Sequence, residues 1–502
     1  MRLALLVFFT SFFVYVVANV AAVRSPDGEI QFRTAESLAF HQRWNVTEDL
    51  QVWPGFGLAR GIDGERYSIF GPLQPLLLSP MIHLAEPLSQ RIAADDAIKL
   101  PASHYVGVFG DSLQGKISGP RLPHARRFVA SFEGPFFGAL CVTAFFLTLL
   151  VLAASAQAAL FGAAVLAFAT PLWSYSGTDF SEVPALAFLL WSFYFLMRAR
   201  GTQTSTAPLF MLEASGLLFG LACAAHISTL LWFPFFLVLV SPRINAVREL
   251  FRKSSLQGMT AFLLGAVPAL STVAVYNYQR FGNIFETGRY VRLETAKLYG
   301  YGFFTVPIES LYGLLFSGGK GIFIFVPIVL WALVSWRYFS RALPWVAKVI
   351  LVGITVRYFV IASRTDWHGG FALGPRYLLL VVPFLLLPLA FVWQSGRFRT
   401  LSFGILGLCM LEQAYFCCGE IFSFYHAQLA SNGLDVFSDD RLYLDWTFSP
   451  LLGLWRLTPA PFLLQVAGLG FGQALTLLWL LAVLCSLGWL KMAGNVPVKS
   501  MG

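Results

Sequence analysis

Apolar runs recur along the whole chain, and about 20 such residues wound as a helix are long enough to cross the hydrocarbon core of a bilayer. Their cores fall at 4–23, 134–154, 156–171, 182–198, 211–225, 227–241, 258–276, 321–336, 344–362, 377–394, 400–417 and 468–490, the third and fifth being short. Of the 502 residues, 57% are hydrophobic and 12% charged, against about 25% charged in a soluble protein. The expectation is an all-α polytopic membrane protein of about 12 transmembrane helices, forming one domain over residues 1–502. The first run exceeds the roughly 7–15 residues of a cleaved leader, so it reads as a retained helix.

The net charge of +9 reflects topology, not an affinity for nucleic acid. Basic residues concentrate in alternate short loops, as Arg198/Arg200, Arg243/Arg248/Arg252/Lys253, Arg337/Arg341, Arg397/Arg399 and Lys491/Lys499. The positive-inside bias places these loops and both termini in the cytoplasm. The opposite side then receives segments 24–131, 172–181, 277–320, 363–376 and 418–467. Segment 24–131 is too long for a simple connector. Its 71–88 part is apolar but punctuated by prolines, which suits a helix at the membrane interface better than a span. The six cysteines lie in or beside apolar runs without zinc-ligand spacing, as buried apolar residues do.

Residues able to do chemistry gather on that opposite side. Asp27 and Glu29 follow the first run directly. Pro26 and Gly28 suggest a turn, after which Phe32, Ala35, Leu38 and Ala39 recur at helical spacing, as in an amphipathic helix on the membrane surface. Two readings of the acidic pair are open: solvated acids beside a helix start, or carboxylates that position or deprotonate an acceptor hydroxyl. Asp179 and Glu182 are either part of a helix start capped by Ser181 or substrate contacts. Arg280, Arg289, Arg292, Lys297 and Lys320 run against the positive-inside bias among tyrosines, as a solvated loop or as a phosphate site. Ser317-Gly318-Gly319-Lys320-Gly321 lacks P-loop spacing, yet a glycine-rich turn with a lysine at a helix start can hold a lipid phosphate. Asp366, His368, Arg376 and Tyr377 make the last cluster, and His368 alone cannot form a metal site. Arg357 and Glu412 fall within apolar runs, where an ionisable group is either functional, paired or snorkelling.

Taken in order, several motifs carry a family resemblance. Asp27-x-Glu29 leads into Ala35-Glu36-Ser37-Leu38, and Tyr67-Ser68-Ile69-Phe70-Gly71-Pro72 follows. Then come Thr170-Pro171-Leu172-Trp173-Ser174-Tyr175-Ser176 with Glu182, Tyr276-Asn277-Tyr278-Gln279-Arg280-Phe281-Gly282-Asn283, the segment Gly313 to Gly321, and Gly374-Pro375-Arg376-Tyr377-Leu378. The chain resembles the GT-C superfamily of membrane glycosyltransferases, those of the protein-mannosyltransferase and aminoarabinose-transferase kind in particular.

The resemblance implies that segment 24–131 is a first extracytoplasmic loop carrying juxtamembrane helices. It further implies inverting transfer of a hexose or pentose from a polyprenyl-phosphate donor, in a bacterial inner membrane with the site facing the periplasm. The partners are membrane lipid, the lipid-linked sugar, and a glycan, lipid or protein acceptor. Asp27 is then the base, with Glu29 in support. Lys320, Arg280 and Arg376 are candidates for the leaving phosphate, and Tyr67, Asp179, Glu182, Asp366, His368 and Tyr377 are further substrate contacts. Relatives carry a lysine after the tyrosine where Ile69 stands here, and Arg66 is the substitute. No cofactor and no divalent metal is expected. The rival is a transporter or flippase of lipid-linked sugars, which would place polar sites at mid-membrane on broken helices; a third possibility is an inactive scaffold.

Overall fold

The computed structural model describes residues 1–23, 25–46, 57–91, 124–152, 154–201, 207–241, 251–291, 304–433, 440–457, 459 and 461–494. Arg243, Arg248, Arg292, Lys297 and Lys499 lie outside the described residues. Seven described helices are long and apolar enough to cross a membrane: Ala125–Val151, Glu182–Gly201, Pro208–Ala225, Lys253–Phe281, Pro344–Ala362, Arg399–Cys418 and Phe471–Ala493. Shorter apolar helices cover Arg2–Val17, Ala156–Phe168, Ile227–Val240 and Val382–Gln394. We label α1 (Arg2–Val17), α2 (Pro26–His41), α3 (Leu73–Arg91), α4 (Glu182–Gly201), α5 (Lys253–Phe281) and α6 (Pro344–Ala362).

Two of the expected spans are interrupted. The run at 321–336 breaks at Val326-Pro327 into Ile322–Phe325 and Ile328–Ala342. The run at 377–394 is a 3-10 turn followed by Val382–Leu386 and Pro388–Gln394. Proline lacks the amide hydrogen that would continue the ladder: Ile328–Ala342 restarts just after Pro327, Pro388–Gln394 at Pro388, and Val382–Leu386 carries Pro383 in its first turn. Every residue from Phe371 to Trp393 is buried. This run is apolar on all faces because protein, not lipid, surrounds it.

Segment 24–131 departs from expectation at its start. Pro26 and Gly28 make no turn. Ser25 is the N-cap, its hydroxyl accepting the Gly28 amide at 2.9 Å, and Pro26 occupies the first helical turn. Proline's fixed φ and missing donor suit that place. Nor does α2 lie on a surface: every residue from Gly28 to Ser37 is buried. Its polar side chains are paired inside the protein instead. Glu29 Oε1 accepts from Arg33 Nε at 2.9 Å and from Arg127 Nη2 at 2.5 Å. Arg126 bridges Glu36 and Glu86, and Gln31 Nε2 donates to Gln74 Oε1 at 2.5 Å. Apart from Arg33, which lies on α2 itself, these partners come from α3 and the helix His124–Ala130, which cover α2. Pro80 and Pro87 lie within α3, which continues through both. A hairpin pairs β1 (Leu58–Arg60) with β2 (Arg66–Ser68) and is tied to the end of α5 by the Ile62 amide on the Arg280 carbonyl, 2.9 Å.

Helix direction sorts the charges. α1 runs toward Asp27, α4 begins at Glu182, and α6 ends two residues before Arg364. The other ends of these helices carry the basic groups: Arg198 and Arg200 close α4, and Arg341 precedes α6. Arg200 is tied there, its Nη1 donating to the carbonyls of Leu239 and Ser241 at 2.5 Å each.

Glu29 is fully buried between two guanidinium groups, so its loss takes a carboxylate partner from each. Glu29→Ala is expected to destabilise the detergent-solubilised protein by about 3–5 kcal/mol. An unchanged thermal midpoint would contradict the pairing.

Candidate active site

Three segments far apart in sequence meet at Arg376. The chain enters its 3-10 turn through Gly374, which adopts φ 57°, a region costly for any residue with a side chain. Arg376 Nε donates to Glu182 Oε1 at 2.6 Å and Nη2 to Asp27 Oδ2 at 2.6 Å. The guanidinium rests over the Phe180 ring, 4.1 Å from its centroid. Glu182, in the first turn of α4, is fully buried. Burial opposes the charge on Arg376, but Glu182 and Asp27 outweigh it and hold its pKa well above the ordinary value.

Asp179 sets the position of α2. Its carboxylate accepts the Ser25 amide at 3.1 and 3.2 Å. A Cβ at residue 28 would fall 1.8 Å from Asp179 Oδ2, so only glycine lets the helix start come this close. Ser181 does not cap α4; its hydroxyl lies 3.2 Å from His226 Nδ1.

A second ion pair adjoins the first. Arg364 forks onto Asp366, Nε to Oδ1 at 2.7 Å and Nη2 to Oδ2 at 2.6 Å, with the Tyr377 ring 4.5 Å from its charge centre. Burial pushes the Asp366 carboxyl up, but Arg364, then Arg289 and His368, overcome this and hold it below the usual carboxylate range. Arg357 of α6 is buried and donates to the Ser228 carbonyl at 2.7 Å, the Ser228 hydroxyl at 2.9 Å and the Tyr377 carbonyl at 3.2 Å. It is therefore a strut inside the protein and does not snorkel.

Lys320 is caged differently. Its Nζ donates to the carbonyls of Gly370 at 2.7 Å and Ala372 at 2.6 Å. The rings of Tyr425 and Tyr443 lie 5.2 and 5.0 Å away. Among the described residues no carboxylate pairs with it. Burial, with a contribution from the Arg376 charge, pushes its pKa well below that of an ordinary lysine. His368 stacks on Tyr443 at 4.0 Å and accepts the Gly370 amide on Nδ1 at 3.0 Å. Burial, then the Lys320 charge, lowers its pKa to about 3.

The remaining candidates sit apart from this cluster. Glu29 turns to Arg33 and Arg127. Tyr67 donates to Asp63 at 2.6 Å, and Arg66 pairs opposite Arg60 in the hairpin. Arg280 is buried against the Tyr276 ring at 3.4 Å and donates to the Ser68 carbonyl and, at 2.9 Å, to Asn277. Sequence reasoning missed Phe180, Tyr425 and Tyr443 as site walls. The signal available was their membership of segments 172–181 and 418–467, already assigned to this side. Among the described residues no group of three or more His, Cys, Asp or Glu is placed to hold a metal ion.

Residues 100–281 match the family described as dolichyl-phosphate-mannose-protein mannosyltransferase. Among solved structures, ArnT from Cupriavidus metallidurans bound to undecaprenyl phosphate aligns with 97% of this chain and 76% of its own, at 15% identity and TM-score 0.50. The chain has the GT-C fold. AglB from Archaeoglobus fulgidus, in complex with an inhibitory peptide and a dolichol-phosphate, aligns over 89% of this chain and 60% of its own at 12% identity and TM-score 0.45. No curated protein matches the sequence. The resemblance drawn from the ordered motifs thus meets both the family match and the GT-C architecture.

The His368 shift has a signed consequence. With a folded pKa of about 3 against an unfolded value near 6.5, only the unfolded chain takes up this proton between those limits. Its contribution to stability is complete above pH ~6.5 and is lost as pH falls toward 3. Thermal midpoints measured from pH 4 to 8 should fall less steeply on acidification in His368→Asn than in the unaltered protein. Parallel curves would contradict the assignment.

Proposed function

We propose that this chain is an inverting glycosyltransferase that moves a sugar from a polyprenyl-phosphate donor to an acceptor hydroxyl. The observation that carries the reading is Asp27 gripped by Arg376, beside a buried lysine that no carboxylate pairs with among the described residues. The match to the dolichyl-phosphate-mannose family and the fold shared with an undecaprenyl-phosphate-bound protein support it. Basic residues at the opposite helix ends make that end cytoplasmic, which turns the Asp27–Arg376 end to the extracytoplasmic face. A bacterial inner membrane with the site toward the periplasm is the corresponding location.

In this mechanism one Asp27 oxygen is held by Arg376 and the other accepts the acceptor hydroxyl. As that oxygen attacks the anomeric carbon, Asp27 takes its proton. The bond between the anomeric carbon and the phosphate oxygen breaks, and the electron pair leaves with the phosphate. Arg376 is committed to two carboxylates, so its role is to aim Asp27. Lys320, paired with no carboxylate among the described residues, is placed to meet the charge developing on the phosphate, and that charge in turn favours its ammonium form in a site where low dielectric strengthens the contact. The positive charge comes from the protein, and the proposed reaction needs no divalent metal.

Transfer of radiolabelled sugar in reconstituted vesicles tests this. Asp27→Asn should lower turnover by about 10²–10⁴-fold, and Lys320→Gln should lower kcat/KM for the donor about tenfold or more, the loss of roughly 1.4 kcal/mol of transition-state stabilisation. Incubation with EDTA should leave the rate unchanged. Label that merely changes leaflet, equally in the unaltered protein and in Asp27→Asn, would establish the transporter instead.

A further inference from the structure

A cleft of about 410 Å³ opens between the hairpin and the end of α5 and is lined by Arg43, Trp44, Asn45, Asp63, Glu65 and Gln279, with Tyr67 and Arg280. It shares no lining residue with the Asp27–Arg376 cluster. Its nearest link runs along one short stretch of chain: Arg280 forms its floor, while Arg289 is close enough to depress Asp366. We propose that this cleft binds a neutral saccharide, and that the acceptor is a glycan. The proposal rests on the glycosyltransferase reading and names its acceptor class.

The lining argues for that ligand over others. Sugar hydroxyls donate and accept at once, so they need carboxylate acceptors, guanidinium donors and amides that do both. All three are present. Asp63 is built in: its Oδ2 accepts from Tyr67 at 2.6 Å and its Oδ1 from the Glu65 amide at 3.0 Å. Glu65 Oε2 accepts from Asn45 Nδ2 at 3.1 Å, which fixes that carboxylate by one oxygen. The Gln279 side chain has no hydrogen-bond partner among the described residues and is exposed on the cleft wall. Trp44 supplies an aromatic wall and is held edge-on by Tyr276, 4.8 Å between centroids. Aromatic bodies with polar rims are what ligand pockets use to fix orientation. The charges of Asp63 and Glu65 offset those of Arg43 and Arg280, so the lining carries no net positive charge to draw a phosphorylated ligand. An apolar peptide side chain would desolvate these exposed carboxylates and offer them no further donor.

The test uses the full chain in lipid nanodiscs. Binding is read by tryptophan fluorescence and by saturation-transfer NMR. The probes are a panel of neutral trisaccharides of glucose, galactose, mannose and N-acetylglucosamine, with mannose 6-phosphate and a Ser/Thr/Gly tripeptide as contrasts. At least one neutral trisaccharide should bind, and its Kd should rise tenfold or more in Gln279→Ala and in Glu65→Gln. Thermal midpoints should be unchanged in both variants, since neither side chain is buried. Hydrolysis of a polyprenyl-phosphate sugar by water should also be unchanged, because neither residue belongs to the Asp27–Arg376 cluster. Absence of trisaccharide binding, equal binding in both variants, or preference for the phosphosugar or tripeptide overturns the proposal. Binding without any donor hydrolysis overturns the glycosyltransferase reading and leaves the saccharide cleft standing.

Discussion

The structure depends on one buried cation. Arg376 is 8% exposed and is satisfied by carboxylates delivered from two other segments, one of them 349 positions away in sequence. A guanidinium in a low-dielectric interior that loses such partners costs several kcal/mol. The triad therefore fixes where α2 starts, where α4 starts and how the turn at Gly374 is shaped. Asp179 reinforces the same placement through the Ser25 backbone. The catalytic carboxylate we assign is positioned by this network before any substrate arrives, as electrostatic preorganisation requires.

The burial of α2 follows from the same logic. Its sequence carries Asp27, Glu29, Gln31, Arg33 and Glu36, too many polar groups for an apolar core. Pairing within the protein makes burial tolerable: Glu29 answers two arginines, Glu36 answers Arg126 and Gln31 answers Gln74. The acids two residues apart point to different partners, since such spacing does not place side chains on one helix face. Asp27 thereby joins the Arg376 cluster, and Glu29 joins the pairs that hold α2 against its neighbours. Lys320 is the counterpart among the cations. Backbone carbonyls and tyrosine rings surround its amino group, and no carboxylate pairs with it among the described residues.

The helical membrane architecture and the side on which the chemistry gathers were legible in the sequence. Both follow from local rules: about 20 apolar residues make a span, and loop lysines and arginines set its direction. The ordered motifs also carried the GT-C fold and brought Asp27, Glu182, Lys320 and Arg376 forward as candidates. The interruption at Pro327 was visible as a proline inside an apolar run, though hydropathy alone smoothed over it.

Which candidates meet was decided by tertiary structure alone. Arg280, Lys320 and Arg376 looked equivalent as basic residues on one side, yet one floors a separate cleft, one is caged by carbonyls and one is held by two acids. The turn forecast at Pro26 and Gly28 became a helix start because Ser25 capped it and Asp179 needed a residue without a side chain. Sequence determined what each segment is, because solvation and backbone propensity act over a few residues. The tertiary structure decided which charge answers which, because pairing energy in a low-dielectric interior depends on distances between segments hundreds of residues apart.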